Sequence, residues 1–458
     1  MIVLYSIVAS VFSILRYEGL LTQATDLGIF MQAMYSTIHG RLLYEAVDYQ
    51  AYGATSFLGV HFSPILLAIV PLYWLFPYAE TLLVLQAVVV ASGTIPTYLI
   101  AKKNGNEKRA LAFSSFYLLY APLLGANLYD FHVESFLPVL LLFTFYLTES
   151  HRYGRALIPI MLSLATTEAS PPLLGFMMLY FVVRQKRSWK SRKWEIFLMG
   201  VMVPIYLSER YVMGFFAQGQ GALVGLSQVS PLYLQSDILL KVGYFFIILA
   251  AAGFLPLLSL PTAIMALPWI ATQLFSSHGF PHSVGWQYDF FLIPWIVVGS
   301  IQSFNGAGKN WLTRVLKRGI RPPDLFLAGM LVSLIISPVI AGLVLSPSFG
   351  GQGYVVSYSP SPQFPEVNSL VQEIGPGPVL VSDHLFPYLA NRLDVYDFEP
   401  NVPVLGTMTR VPTVQYVLVQ KSDLASLPPG LIDAFYPKSS ISGVDNSTIY
   451  LYQRSPGY

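Results

Sequence analysis

From Thr81 to Ala101 the chain runs without one charged side chain, and similar apolar stretches recur from the first residues to about residue 346. A run of this kind is long enough to cross the hydrocarbon core of a bilayer, which takes about 20 apolar residues in helical form. Inside lipid every backbone N–H and C=O has to find its partner within the chain, so the runs are expected to be helices. That feature restricts most of the chain to an all-α polytopic membrane protein. Composition agrees, with 54% hydrophobic and 11% charged residues, against about 25% charged in soluble domains. A net charge of only +2, with the basic residues in loops between apolar runs, excludes nucleic acid as a partner. The absence of cysteine excludes disulfides, a thiolate nucleophile and a Cys-ligated metal.

About eleven crossing helices are expected, at roughly 1–17, 78–101, 110–126, 135–149, 156–169, 171–184, 194–214, 238–253, 256–275, 289–304 and 324–346. The first lacks a basic start and a cleavage site, so it reads as a retained helix rather than a signal peptide. Residues 61–77 are apolar too, but the alternation of sides works only if they dip in and return, or lie in the interface as a short helix.

Before residue 347 there are 21 Lys and Arg, and four clusters hold 17 of them: 102–109, 152–155, 184–193 and 309–321. Under the positive-inside rule these loops are cytoplasmic. The turns between them are then extracytoplasmic: the first outer loop at 16–61, the stretch around Asp130, Glu168, 218–237 and 276–289. Beyond residue 347 the chain turns rich in Pro, Gly and Ser, then shows short β-type runs at 378–381, 415–419 and 449–452. The expected division is a transmembrane domain at 1–346 and a small extracytoplasmic α/β domain at 347–458.

The candidate chemistry lies on the outer side. Asp26, in the first outer loop, has two readings: a base or cation ligand, or the N-cap of a helix running through Phe30, Met31 and Met34. Asp130, His132 and Glu134 are metal-type donors, suited to a divalent cation such as Mg or Mn, and share one face only if the segment is extended. His61 begins the apolar segment 61–77, and Glu168 stands at an outer turn before Ser170-Pro171-Pro172. Arg16, Arg41, Arg210 and Lys241 are the basic residues left outside the four clusters, and a phosphate-bearing substrate would need such partners. His282, Trp286 and Tyr288 give an aromatic loop able to stack on a sugar or a lipid tail. Walker, GxSxG and HExxH motifs are absent, which argues against coupling to a nucleotide.

Three stretches carry a resemblance: Asp26-Leu27-Gly28-Ile29-Phe30, Leu58-Gly59-Val60-His61-Phe62-Ser63-Pro64, and Asn127-Leu128-Tyr129-Asp130-Phe131-His132-Val133-Glu134. Together they resemble a prokaryotic family of predicted membrane proteins, domain of unknown function 2079, and Val379 to Tyr396 looks similar as well. That family is grouped with the GT-C glycosyltransferases. The resemblance implies a multi-pass cell-membrane enzyme that takes a sugar from a polyprenyl-phosphate-linked donor, with membrane lipids around it and an extracytoplasmic acceptor. In GT-C enzymes the catalytic acid lies in the first extracytoplasmic loop, which here is Asp26; Glu18, eight residues earlier, is no adjacent second acid. The alternative is a lipid-binding or transport protein without chemistry, for which polar groups would sit near the bilayer midplane on broken helices in related halves. The chain shows no such halves.

Overall fold

The structure is a computed structural model that describes residues 1–103, 105–184, 192–218, 230–276, 282, 284–304, 321–342, 360–398, 411–427, 429–443 and 447–456. Each apolar run contains helix, from Ile2–Glu18 to Pro322–Gly342. Among the described residues three helices are long and apolar enough to cross a membrane: Ala79–Lys103, Lys193–Phe216 and Leu255–Phe275. Glu107–Leu119 and Ala121–Leu128 form a fourth candidate, bent by 46°. The bend has a local cause, because Pro122 has no N–H for the Leu118 carbonyl and its ring crowds the preceding turn. The remaining apolar helices are shorter, among them Tyr153–Leu164, Ser170–Arg184, Ile238–Ala251 and Ile293–Ser303.

Within residues 61–77 the helix is Leu66–Leu75. Its ten residues reach about 15 Å at 1.5 Å per residue, half of a hydrocarbon core of about 30 Å. Leu67, Leu72, Trp74 and Leu75 are exposed along it, as suits a short helix at the edge of the apolar body.

The described parts of the basic clusters gather at one end. Glu149 pairs with Lys103 (3.7 Å) and Arg184 (3.2 Å), Arg184 also donates to Gln302 (3.1 Å), and Arg109 donates to the Ile301 carbonyl (3.2 Å). Most of the fourth cluster lies outside the described residues.

The C-terminal part holds the helix Phe364–Glu373 and five strands: β1 (Val379–Ser382), β2 (Val395–Phe398), β3 (Tyr416–Gln420), β4 (Phe435–Ile441) and β5 (Ile449–Arg454). Their order in the sheet is β2-β1-β3-β5-β4. The β2-β1-β3 half is parallel, with Val379 opposite Val395 and Leu380 opposite Val417. The β3-β5-β4 half is antiparallel. The parallel strands are apolar almost throughout, as strands covered on both faces must be, while β4 is a half-exposed edge with Pro437 beside an irregularity of register.

The sheet stands on the first loop. Gln32 donates to the Arg392 and Val395 carbonyls, both at 3.2 Å. Gln50 donates to the Asp397 carbonyl (2.9 Å) and accepts from its amide (3.0 Å). Tyr73 donates to Asn391 at 2.7 Å. One apolar core runs through both parts, joining Leu27, Phe30, Phe57 and Phe131 to Val381, Phe386 and Leu418.

Candidate active site

Asp26 sits in a single π-turn, Ala24–Gly28, between extended Gln23 and the helix Ile29–Ile38. Leu27, Ile29 and Phe30 are buried around it, and the Phe30 ring packs edge-on against His132, centroids 5.7 Å apart. The Asp26 carboxylate caps no helix. Oδ1 lies 3.0 Å from His132 Nε2 and Oδ2 accepts from the Tyr129 hydroxyl at 2.7 Å. All three side chains are buried.

The facing stretch comes from the link between the helix ending at Leu128 and a 3-10 turn at Val133–Phe136. Gln86, a polar residue in the apolar run Leu82-Leu83-Val84-Leu85-Gln86-Ala87-Val88, fixes that link. It accepts from the His132 amide (2.8 Å) and donates to the Asn127 and Asp130 carbonyls, both at 3.1 Å. His132 Nδ1 lies 3.0 Å from the Asp130 carbonyl oxygen. The imidazole therefore stands between two acceptors, and filling both bonds requires both ring protons. Burial opposes that charge, but the hydrogen bond and charge of Asp26, with Glu134 nearby, outweigh it and raise the His132 pKa.

The Asp130 carboxylate points elsewhere. It accepts from Arg16 Nε at 3.2 Å and from the Gln23 amide at 3.0 Å, and Arg16 lies over the Tyr129 ring, 5.0 Å from its centroid. This corrects the expected metal triad. Asp130 is neutralised by Arg16, His132 is engaged by Asp26, and Glu134 lies apart on the 3-10 turn. Among the described residues no three His, Asp or Glu side chains are grouped to hold a metal ion. The residues present do not fit the expected divalent cation, and no chemical step is derived through one.

A second group adjoins the first. His61 Nδ1 lies 3.3 Å from Glu168, whose other oxygen accepts from the Phe62 amide at 3.0 Å. Desolvation works against the charge even on the half-exposed His61 ring, yet the bond and charge of Glu168 win and raise its pKa to about 9. Burial would raise Glu168, but its bond to His61 lowers it to about 2. Glu134 acts electrostatically on both His132 and His61, and one of its oxygens is buried without a donor among the described residues.

Of the remaining expected residues, two join this neighbourhood. Trp286 stacks on Tyr129, with centroids 5.0 Å apart and planes at 20°; Asp289 sets its loop by accepting from the Gly285 amide at 2.6 Å. Tyr288 feels the charges of Asp26 and Glu134. Four others are occupied elsewhere. Lys241 is buried and donates to the carbonyls of Tyr233, Leu274 and Ser276 at 2.5, 2.9 and 3.2 Å, which ties the ends of two helical segments together. Arg41 lies over Tyr44 (5.3 Å), Arg210 over Tyr206 (5.9 Å), and His282 Nε2 lies 2.6 Å from the Gln273 carbonyl oxygen.

Sequence reasoning gave no role to Gln86, Tyr129 or Glu209. A lone amide in an apolar run is a readable signal for Gln86. Glu209, buried on Lys193–Phe216, was equally readable as an acid in a crossing helix.

Comparison with solved structures finds the same fold in ArnT from Cupriavidus metallidurans bound to undecaprenyl phosphate. The TM-score is 0.61 and the identity 14%, over 100% of this chain and 98% of that one. The apo form of ArnT matches with a TM-score of 0.52 and 14% identity, over 98% and 97%. ArnT is a GT-C glycosyltransferase, so the likeness of fold agrees with the resemblance carried by the motifs. No curated protein sequence matches. The model of the family described as predicted membrane protein (DUF2079) matches residues 16–436, and the chain belongs to that family.

Proposed function

We propose that this chain is an inverting membrane glycosyltransferase, moving a sugar from a polyprenyl-phosphate-linked donor to an acceptor on the face away from the lysine-rich end. The observation that carries this reading is the buried pair of Asp26 and His132, 3.0 Å apart. The pair sits at the position the resemblance assigns to the catalytic acid, and the fold is shared with a protein crystallised with undecaprenyl phosphate.

In the transfer the acceptor oxygen bonds to the anomeric carbon, the bond from that carbon to the phosphate oxygen breaks, and the acceptor proton passes to Asp26. The polyprenyl phosphate leaves with the electron pair. Each carboxylate oxygen offers two lone-pair sites, so each Asp26 oxygen keeps one to accept from the acceptor hydroxyl beside its bond to Tyr129 or His132. His132, charged by its two acceptors, orients the carboxylate. His61 is half-exposed and cationic at neutral pH, and it supplies positive charge for the leaving phosphate. The unpartnered oxygen of Glu134 accepts from a sugar hydroxyl. About eleven crossing helices, with the lysine-rich loops in the cytoplasm and the C-terminal sheet outside, complete the proposal.

The test is sugar transfer by the purified protein in lipid nanodiscs, supplied with a panel of polyprenyl-phosphate-linked sugars. Asp26→Asn should lower turnover by about 100-fold or more in a chain that still folds, with a lower melting temperature because the buried His132 loses its charge partner. Full transfer by that variant would end the assignment. Donor binding without turnover by the unaltered protein would favour the lipid-binding alternative.

A further inference from the structure

The turn that carries Asp26 is held from two sides at consecutive amides. Asp130, from the helical body, accepts from Gln23 N–H at 3.0 Å. Asp383, from the C-terminal sheet, accepts from Ala24 N–H through Oδ1, also at 3.0 Å. Asp383 opens the 3-10 segment Asp383–Tyr388, which leaves the end of β1. The same segment closes the far end of the π-turn, where a methyl group on Gly28 would lie 2.6 Å from Phe386 Cδ1. Tyr388 then stacks on Tyr17, with centroids 4.8 Å apart, and donates to the Tyr17 carbonyl. Residues 383–388 thus clamp both ends of the five residues that present the carboxylate. A π-turn is a rare conformation, often found at functional sites, and this one opens directly into the helix Ile29–Ile38.

We infer that Asp383 is a positioning residue for Asp26, so that the C-terminal sheet is a working part of the active site and sets where the carboxylate stands against His132 and Tyr129. The consequence for activity rests on the glycosyltransferase reading. The clamp itself does not.

Two variants of the full chain, Asp383→Ala and Asp383→Asn, separate the cases in nanodiscs. Asparagine keeps a side-chain oxygen that accepts from Ala24 N–H; alanine does not. A displacement of about 1 Å at a catalytic group costs about 100-fold in rate. Asp383→Ala should therefore lower kcat on that scale and leave KM for the donor unchanged, while Asp383→Asn restores most of the turnover. Amide hydrogen exchange over residues 23–28 should quicken in the alanine variant and keep its native protection in the asparagine variant. Gly28→Ala, which presses on Phe386 from the other end, should repeat the kcat loss should the alanine variant fail to fold. Native turnover and native protection in Asp383→Ala would overturn the inference, as would equal loss in both Asp383 variants. If the unaltered protein transfers no sugar, the functional reading fails, and the exchange experiment still decides the clamp.

Discussion

Asp130 and Arg16 form a buried ion pair at 3.2 Å, with side-chain exposures of 0% and 4%. Taking one partner from such a pair leaves an uncompensated charge, at a cost of about 3–5 kcal/mol. Asp130→Ala should accordingly lower the melting temperature sharply, and an added divalent cation should not alter that loss. A variant as stable as the native protein would contradict this role. The His61–Glu168 pair makes a different demand, because its partners shift in opposite directions, His61 up to about 9 and Glu168 down to about 2. A histidine raised from its ordinary value near 6.5 stabilises fully below that value and loses the contribution as pH rises through 9. A glutamate lowered from near 4.3 stabilises fully above that value and loses it as pH falls through 2. The pair is therefore worth most between about pH 4.3 and 6.5. In Glu168→Gln the decline of melting temperature between pH 6.5 and 9 should flatten, since His61 no longer gains from folding; an unchanged alkaline slope would refute the coupling. At this scale the sequence exposed residue types but not their directions. Asp26 and His132 were readable as outer acids and imidazoles. That Asp130 would turn to Arg16, 114 positions away, was not, because no local periodicity records a contact made by tertiary packing.

Among the elements, the crossing of Ile238–Ala251 with Pro322–Gly342 depends on two glycines. Gly253 has φ +58°, and a methyl group there would lie 1.9 Å from the Leu325 carbonyl oxygen. A methyl group on Gly329 would lie 2.4 Å from Gly253 N. Gly329→Ala has to push the chain segments apart and should cost about 1–3 kcal/mol or more, read as a lower melting temperature in detergent. Gly243→Ala, on Ile238–Ala251 with nothing within 4 Å, is the control and should be neutral. Equal melting temperatures for the two variants would contradict the close crossing. Helices of this kind are legible in the sequence because length and hydrophobicity suffice to mark them. The π-turn at Ala24–Gly28 is not legible, since nothing in Ala-Thr-Asp-Leu-Gly separates it from the first turn of an ordinary helix. Lys241 illustrates the same limit: its place among the basic residues outside the four clusters was readable, but its three carbonyl partners meet only through the folded ends of two other segments.

At the scale of the molecule, the basic end and the Asp26 end divide the chemistry, and the C-terminal sheet shares its core with the first loop. From composition a different kind of structure is expected beyond residue 346, because the apolar runs give way to Pro, Gly and short β-type runs; the boundary itself lies outside the described residues. Composition did not reveal that this part would lean on the loop bearing Asp26, which is a matter of which surfaces meet. Deleting residues 347–458 should expose Tyr17, now covered by Phe364 and Tyr388, and remove the Asp383 contact, abolishing transfer even where the helical part is recovered; a truncated chain with native turnover would show the sheet to be an appendage. The most direct test of the whole account remains the reaction itself, followed as the appearance of glycosylated acceptor and free polyprenyl phosphate in equal amounts. The native chain should release both together and a folded Asp26→Asn neither; release of both by Asp26→Asn at the native rate would contradict the account.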